Sequence, residues 1–211
     1  MDACADLIGR GVMSLSGHGN FSCRADLDRM LLTGAGMSVP PHPEDLAVVR
    51  FDGLVDEGSL TPSTLEIVGM HAAIYRGRPA AGAVVHTHSP HVTAFALAHV
   101  PLACRYEALL RHGQVGDVPV VPWAPRGSAA SVDGISEALD RAPGTQAVLL
   151  ANHGLLAFGP SPAATAALVV ALEEAALAEV VATAIGGAKD FPPGAIEAVV
   201  ASKAASRARA G

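Results

Sequence analysis

Residues 83–90 read AVVHTHSP, an apolar run that ends in two histidines and is followed by a proline. Small aliphatic residues in succession are typical of a buried β-strand, and Pro90 is typical of the first turn of a helix. Side chains at positions i and i+2 project from the same face of a strand, roughly 6–7 Å apart. We therefore expect His86 and His88 to lie side by side at the end of an internal strand.

A second strand, residues 146–151, leads into Asn152, His153 and Gly154. The glycine allows a tight turn that would direct the His153 imidazole back toward the sheet end. Neutral imidazole is a favoured ligand of zinc and its neighbours, and three histidines that leave one coordination position open are the catalytic arrangement. The spacing alone leaves open whether His153 meets the other two histidines. Two histidines separated by one residue, such as His86 and His88, more often bind no metal.

The rest of the chain alternates irregularly between helical and extended patterns. Helices are predicted at 2–14, 63–76, 90–99, 128–139, 163–185 and 193–205. Strands are predicted at 20–24, 30–33, 46–51, 83–88, 118–121 and 146–151. Irregular alternation favours a central mixed sheet covered by helices, formed by a single domain over residues 1–211.

Composition excludes several classes of function. Half of the residues are hydrophobic, the net charge is −6, and no run of basic residues is present. We therefore expect a small-molecule substrate and neither nucleic acid nor membrane as partner. Three scattered cysteines form no CxxC pair, and the acidic start of the chain does not resemble a signal peptide. These features predict a soluble, cytoplasmic protein.

Five blocks of sequence, in order, resemble the class II aldolase/adducin family. They are residues 19–24, 31–36, 62–79, 84–90 and 152–155. The resemblance implies a three-layer α/β/α sandwich around a central, mostly antiparallel sheet. It also implies a homotetramer with its active sites near the subunit interfaces.

The resemblance also implies roles for particular residues. His86, His88 and His153 match the family's metal ligands, which hold Zn²⁺ or another divalent ion such as Mn²⁺, Co²⁺ or Fe²⁺. Glu66 is the nearest counterpart of the family's acid/base carboxylate. Tyr106 is the nearest counterpart of a tyrosine that reaches the site from a neighbouring subunit as a proton donor, although a half-buried aromatic residue explains it equally well.

The family's phosphate site has counterparts too, with two departures. The matching residues are Asn20, Gly36, Ser63 and Thr64. A threonine of the family aligns with Ala35, so one hydroxyl is missing. Family members place the glutamate four residues before the histidine that matches His71, whereas Glu66 stands five before it. One residue turns a helix by about 100°, so either the helix begins differently or Glu66 is not equivalent.

The predicted function is that of a metal-dependent lyase of the aldolase type, which cleaves or forms a C–C bond through a metal-bound enediolate. Its substrate would be a small hydroxy ketone, a sugar phosphate or a 2-oxo acid. A 4-epimerase and a 3-oxo-acid decarboxylase remain open on the same site. A non-catalytic interaction domain, as in adducin, is a further alternative. A metal site of three histidines with an open coordination position argues against it.

Overall fold

The structure is a computed structural model that describes residues 1–37 and 39–210, with side chains described as far as residue 206. The strands are β1 Asn20–Arg24, β2 Arg29–Thr33, β3 Leu46–Arg50, β4 Val55–Glu57, β5 Ala83–Thr87, β6 Val120–Val121, β7 Ala147–Leu150 and β8 Gly154–Gly159. The helices are α1 Asp2–Gly9, α2 Pro62–Leu65, α3 Val68–Gly77, α4 Pro90–Ala98, α5 Glu107–Arg111, α6 Ala129–Arg141, α7 Pro162–Ala182 and α8 Ala195–Ala210. Short 3-10 helices lie at Pro43–Asp45 and Thr183–Ile185.

The strands form one sheet in the order β4-β3-β2-β1-β5-β8-β7-β6. Among these strands the pairing of β6 with β7 is parallel and all other pairings are antiparallel. The predicted mostly antiparallel sheet is therefore confirmed. Strand β5 lies in the interior of the sheet, and every one of its residues is buried.

Helices cover both faces of the sheet, and alternation along the strands separates two apolar cores. Val85 and Leu155 face the core that contains α1, α4 and α7. Their neighbours Val84 and Leu156 face the core that contains α3 and α6. Because successive side chains of a strand point to opposite faces, strands buried on both sides must be apolar throughout. The three-layer α/β/α architecture is confirmed.

The predicted helices at 2–14 and 63–76 differ from those observed, and the helix predicted at 193–205 is α8, Ala195–Ala210. Helix α1 ends at Gly9 rather than at residue 14, because Gly11 has a φ of +69° and reverses the chain. The predicted helix 63–76 is two helices, α2 and α3, separated at Glu66 and Ile67. The amide of Ile67 bonds to the carbonyl of Thr64, 3.1 Å away, so the chain tightens there into a 3-10-like turn.

Helix α7 carries a glutamate, Glu173, whose side chain is buried. Its carboxylate accepts hydrogen bonds from the backbone amides of His91, at 3.0 and 3.1 Å, and of Val92, at 3.0 Å. The His91 ring Nδ1 donates to the same carboxylate at 2.7 Å. Ser89, the N-cap residue of α4, makes no side-chain capping bond. Glu173 therefore caps α4 from another helix. No helix of the described chain is long and apolar enough to cross a membrane.

The capping role of Glu173 can be tested by Glu173→Ala. The substitution leaves the first amides of α4 without their charged acceptor, so we expect the free energy of unfolding to fall by about 2–3 kcal/mol. Urea denaturation measures the change. The matched control is Glu174→Ala at the exposed neighbouring position, and equal losses in the two variants would contradict the assignment.

Candidate metal centre

Three histidines converge at the end of β5, on the sheet face that α3 and α6 cover. Their potential ligand atoms all lie within 4.8 Å of one another. The Nε2 atoms of His86 and His88 are 3.1 Å apart, and the rings of His86 and His153 have centroids 4.6 Å apart. Two nitrogens on one tetrahedral zinc ion lie roughly 3.3 Å apart, given bonds of about 2.0–2.1 Å. The donor set and its spacing therefore fit a divalent cation.

Antiparallel pairing of β5 with β8 brings the histidines together. His86 is paired with Leu156, and β8 begins at Gly154, directly after His153. A Cβ atom at Gly154 would lie 2.5 Å from the carbonyl oxygen of Thr87 and 2.9 Å from the His88 ring. Only glycine fits at this close approach of the two chains.

The turn before Gly154 is also held in place. Asn152 adopts the left-handed conformation, with a φ of +56°, which asparagine tolerates better than most residues. Its side-chain oxygen accepts a hydrogen bond of 2.7 Å from the Nε2 of His99. This contact links the turn to the end of α4, so the direction of the His153 side chain is fixed by its neighbours.

Burial keeps the three imidazoles neutral. Desolvation, and then the charges of His153 and His88, hold the pKa of His86 well below its ordinary value. Burial, and then the charge of His153, lowers the pKa of His88 to about 4. The pKa of His153 is lowered by burial and by the positive charge of Arg126. Metal binding needs unprotonated imidazole, which these groups provide at neutral pH.

A backbone contact selects the His86 tautomer. Its Nδ1 donates to the carbonyl oxygen of Leu155 at 2.9 Å, which leaves the lone pair on Nε2 facing the other histidines. His86 is almost completely buried, whereas His88 and His153 are partly exposed. The centre is therefore anchored on one side and open to a ligand on the other.

A buried relay of hydrogen bonds orients Asn20, the residue paired with His86 across β1 and β5. The Tyr75 hydroxyl lies 2.9 Å from Ser22 Oγ, which lies 2.7 Å from His71 Nδ1. His71 Nε2 is 2.6 Å from Asn20 Oδ1. Because that oxygen only accepts, His71 donates through Nε2 and accepts through Nδ1, as neutral imidazole does. The relay leaves the amide NH₂ of Asn20 as the donor to the cavity.

A cavity of about 140 Å³ contains the three histidines. It is lined by His18, Gly19, Asn20, Gly36, Ser63, Thr64, Ile67, His86, His88, Arg126 and His153. The structure thus gathers the residues predicted as metal ligands and those predicted for phosphate around one space. Within the described chain, Glu66 and Tyr106 are not among the lining residues. Glu66 stands at the rim, where its Oε2 accepts a hydrogen bond of 2.9 Å from the Nε of Arg126, and Tyr106 stands before α5.

Sequence reasoning missed two polar residues of the cavity. The His18 ring stacks on the His88 ring with centroids 5.5 Å apart. Arg126 comes from the loop before α6, where it stands between a proline and a glycine. A single charged residue between a proline and a glycine was the only signal for Arg126, and no periodic pattern distinguishes His18.

Metal binding can be tested directly on the purified protein. We expect about one Zn²⁺ or Co²⁺ ion per chain, and we expect His88→Ala to weaken the affinity on the order of a hundredfold or more, because one of three ligands is lost. Metal titration with Co²⁺ absorbance measures both. His42→Ala, at an exposed histidine outside the cavity, is the control. Unchanged affinity in His88→Ala would refute the centre.

The buried His71 predicts acid sensitivity. Burial lowers the pKa of His71 to about 3, so between pH 6.5 and 3 the unfolded chain binds a proton that the folded protein excludes. Stability therefore falls as the pH falls, by about 1.4 kcal/mol per pH unit from this group. In metal-free protein between pH 5.5 and 4, His71→Gln should reduce the slope of unfolding free energy against pH by about that amount. The same slope in both proteins would show that His71 titrates normally.

Comparison with known proteins places the chain in a family. The family described as Class II Aldolase and Adducin N-terminal domain matches residues 1–180. An L-fuculose phosphate aldolase of Haemophilus influenzae is 30% identical over 162 residues, which are 75% of this chain and 70% of that protein. A 3-oxo-tetronate 4-phosphate decarboxylase of the same organism is 32% identical over 69% of each chain. A solved L-fuculose 1-phosphate aldolase superposes with a TM-score of 0.78 at 25% identity, over 95% of each chain. The chain belongs to the class II aldolase/adducin family.

Proposed function

We propose that this protein is a divalent-metal-dependent carbon–carbon lyase of the aldolase type that acts on a small phosphorylated hydroxy ketone. The convergence of three neutral imidazoles in a cavity with hydroxyl and amide donors carries the proposal. His86, His88 and His153 would hold the ion, with Zn²⁺ as the first candidate and Mn²⁺, Co²⁺ or Fe²⁺ as alternatives. A bound divalent cation supplies Lewis-acid chemistry, which polarises a carbonyl group and stabilises negative charge on its oxygen.

The phosphate end of the substrate would lie against neutral donors. The Asn20 amide is oriented by His71, and the hydroxyls of Ser63 and Thr64 lie 3.1 and 2.9 Å from the Thr61 hydroxyl in one cluster. Gly36 lets the chain approach closely, because a Cβ atom there would lie 2.7 Å from the carbonyl oxygen of residue 17. These groups can bind and orient an anion from several directions without charge of their own.

Two residues would move protons. Glu66, which lies at the rim of the cavity, would act as the acid/base that removes or returns the substrate proton. Tyr106, whose side chain is 40% exposed, would donate a proton to the departing fragment from the neighbouring subunit of a homotetramer. Both roles follow the family resemblance, and the rim position of Glu66 supports the first.

Decarboxylation of a 3-oxo acid phosphate is the second candidate. It is favoured by the 32% identity to a relative named as a 3-oxo-tetronate 4-phosphate decarboxylase. Both reactions leave an electron pair on the carbon beside a polarised carbonyl group, so the same ion and donors would serve. A 4-epimerase needs the same first step with re-addition of the fragment. An adducin-like scaffold gains nothing from three neutral histidines around an open cavity.

An activity screen tests the proposal. Metal-loaded protein is tested with dihydroxyacetone phosphate plus aldehydes, with ketose phosphates and with 3-oxo-acid phosphates. We expect metal-dependent turnover of one class, its loss in His88→Ala, and a fall in kcat on the order of a hundredfold in Glu66→Gln, the usual size of a general acid/base effect.

The control for Glu66 is Glu137→Gln, at another exposed glutamate that lies 3.4 Å from an arginine. Turnover by Glu66→Gln at the wild-type rate would remove Glu66 from the mechanism. Turnover by metal-free protein, or no turnover of any class by protein with bound metal, would contradict the proposed function.

A further inference from the structure

Arg126 stands between two open spaces. Beside the histidine cavity lies a groove of about 260 Å³, lined by residues that include Trp123, Asn152 and His153. Among the described residues, only His153 and Arg126 line both spaces. A ligand that extends from the histidines into the groove must therefore pass the guanidinium group of Arg126.

The loop that carries Arg126 is fixed at the next two residues. Gly127 has a φ of +77°, and a Cβ atom there would lie 2.8 Å from the carbonyl oxygen of Glu66. Ser128 caps α6, since its hydroxyl accepts a hydrogen bond of 3.2 Å from the amide of Ser131. Arg126 is thus a side chain on an anchored loop that packs directly against the backbone of its ion-pair partner.

The charge of Arg126 is only weakly satisfied. Its partner is Glu66, and the two side chains are 42% and 50% exposed. An exposed ion pair contributes about 0–1 kcal/mol to stability, so an incoming anion can replace Glu66 at little cost. No acidic side chain of the described chain lines either the cavity or the groove. The guanidinium is therefore available to a negatively charged ligand.

We propose that Arg126 binds a carboxylate of the substrate on the side of the groove, which the phosphate donors do not line. This inference rests on the proposed function and narrows its substrate to phosphorylated hydroxy ketones that also carry a carboxylate, which are phosphorylated oxo acids. A planar guanidinium matches a carboxylate through two parallel hydrogen bonds. The phosphate donors Asn20, Ser63 and Thr64 are neutral. The substrate carboxylate displaces Glu66 from Arg126, so binding also frees the carboxylate that acts as acid/base.

A matched pair of unreactive ligands tests the proposal. 4-Phosphoerythronate and erythritol 4-phosphate differ only in a carboxylate that replaces a hydroxymethyl group. Each is titrated into metal-loaded protein, and binding is followed by calorimetry and by the fluorescence of Trp123, the single tryptophan of the chain. The variants are Arg126→Met, Arg126→Lys and Glu66→Gln. The control is Arg10→Met, at an exposed arginine paired with Asp6.

We expect Arg126→Met to lower the affinity for 4-phosphoerythronate on the order of tenfold or more, as for loss of one charged hydrogen-bond pair. The affinity for erythritol 4-phosphate should change by less than about threefold, because this ligand has no carboxylate. Arg126→Lys should recover part of the loss. Glu66→Gln should raise the affinity for 4-phosphoerythronate, because the Glu66 carboxylate no longer competes with the ligand for Arg126. The affinity for erythritol 4-phosphate should stay unchanged. A merely structural role for Arg126 predicts no such difference between the ligands.

The other outcomes separate the two proposals. Equal weakening of both ligands in Arg126→Met would show that Arg126 binds the phosphate, and would overturn the inference while the proposed function stands. Equal affinity of the wild-type protein for both ligands would also overturn the inference and leave the proposed function standing. If neither ligand binds to metal-loaded protein, both the inference and the proposed phosphorylated substrate are wrong.

Discussion

The pairing of β5 with β8 is the contact on which the candidate site depends. It joins two strands that are distant in the sequence and aligns the end of one with the beginning of the other. Gly154 makes the approach possible, because any side chain there would overlap the backbone at Thr87 and the ring of His88. The histidines are therefore positioned by the most buried strands of the sheet rather than by mobile loops, which favours a fixed ligand geometry.

The same burial sets the chemistry of the site. A buried strand removes water from His86, and the desolvation that lowers its pKa also keeps its lone pair free. On the same side of the sheet, His71 is excluded from solvent and holds the oxygen of Asn20. One physical condition, the exclusion of water from this face, thus prepares candidate metal ligands and an oriented amide together.

The sequence predicted what depends on local pattern and on the family blocks. The strand before His86, the capped helix after Ser128 and the three-layer fold are present as expected. The roles assigned to site residues stay predictions, as does the single domain over residues 1–211. Local pattern could not predict the partners of His71 or Glu173, because both arise from contacts between distant elements. It also could not predict the break at Glu66 and Ile67, where the chain forms a turn between two helices instead of one continuous helix.

The break between α2 and α3 also explains the ion pair between Glu66 and Arg126. The turn places Glu66 at the cavity rim, and the backbone at Glu66 is what the loop at Gly127 packs against. The charged groups around the cavity can be compared directly. The three imidazoles are neutral, Glu66 offsets Arg126, and a divalent ion would add two positive charges to a cavity in a chain whose net charge is −6. Such a local excess of positive charge draws in anions and repels cations. A substrate with two anionic groups, one for the neutral donors beside Asn20 and one for Arg126, would satisfy both sets of donors, whereas a neutral sugar would leave the guanidinium with Glu66 as its only charged partner.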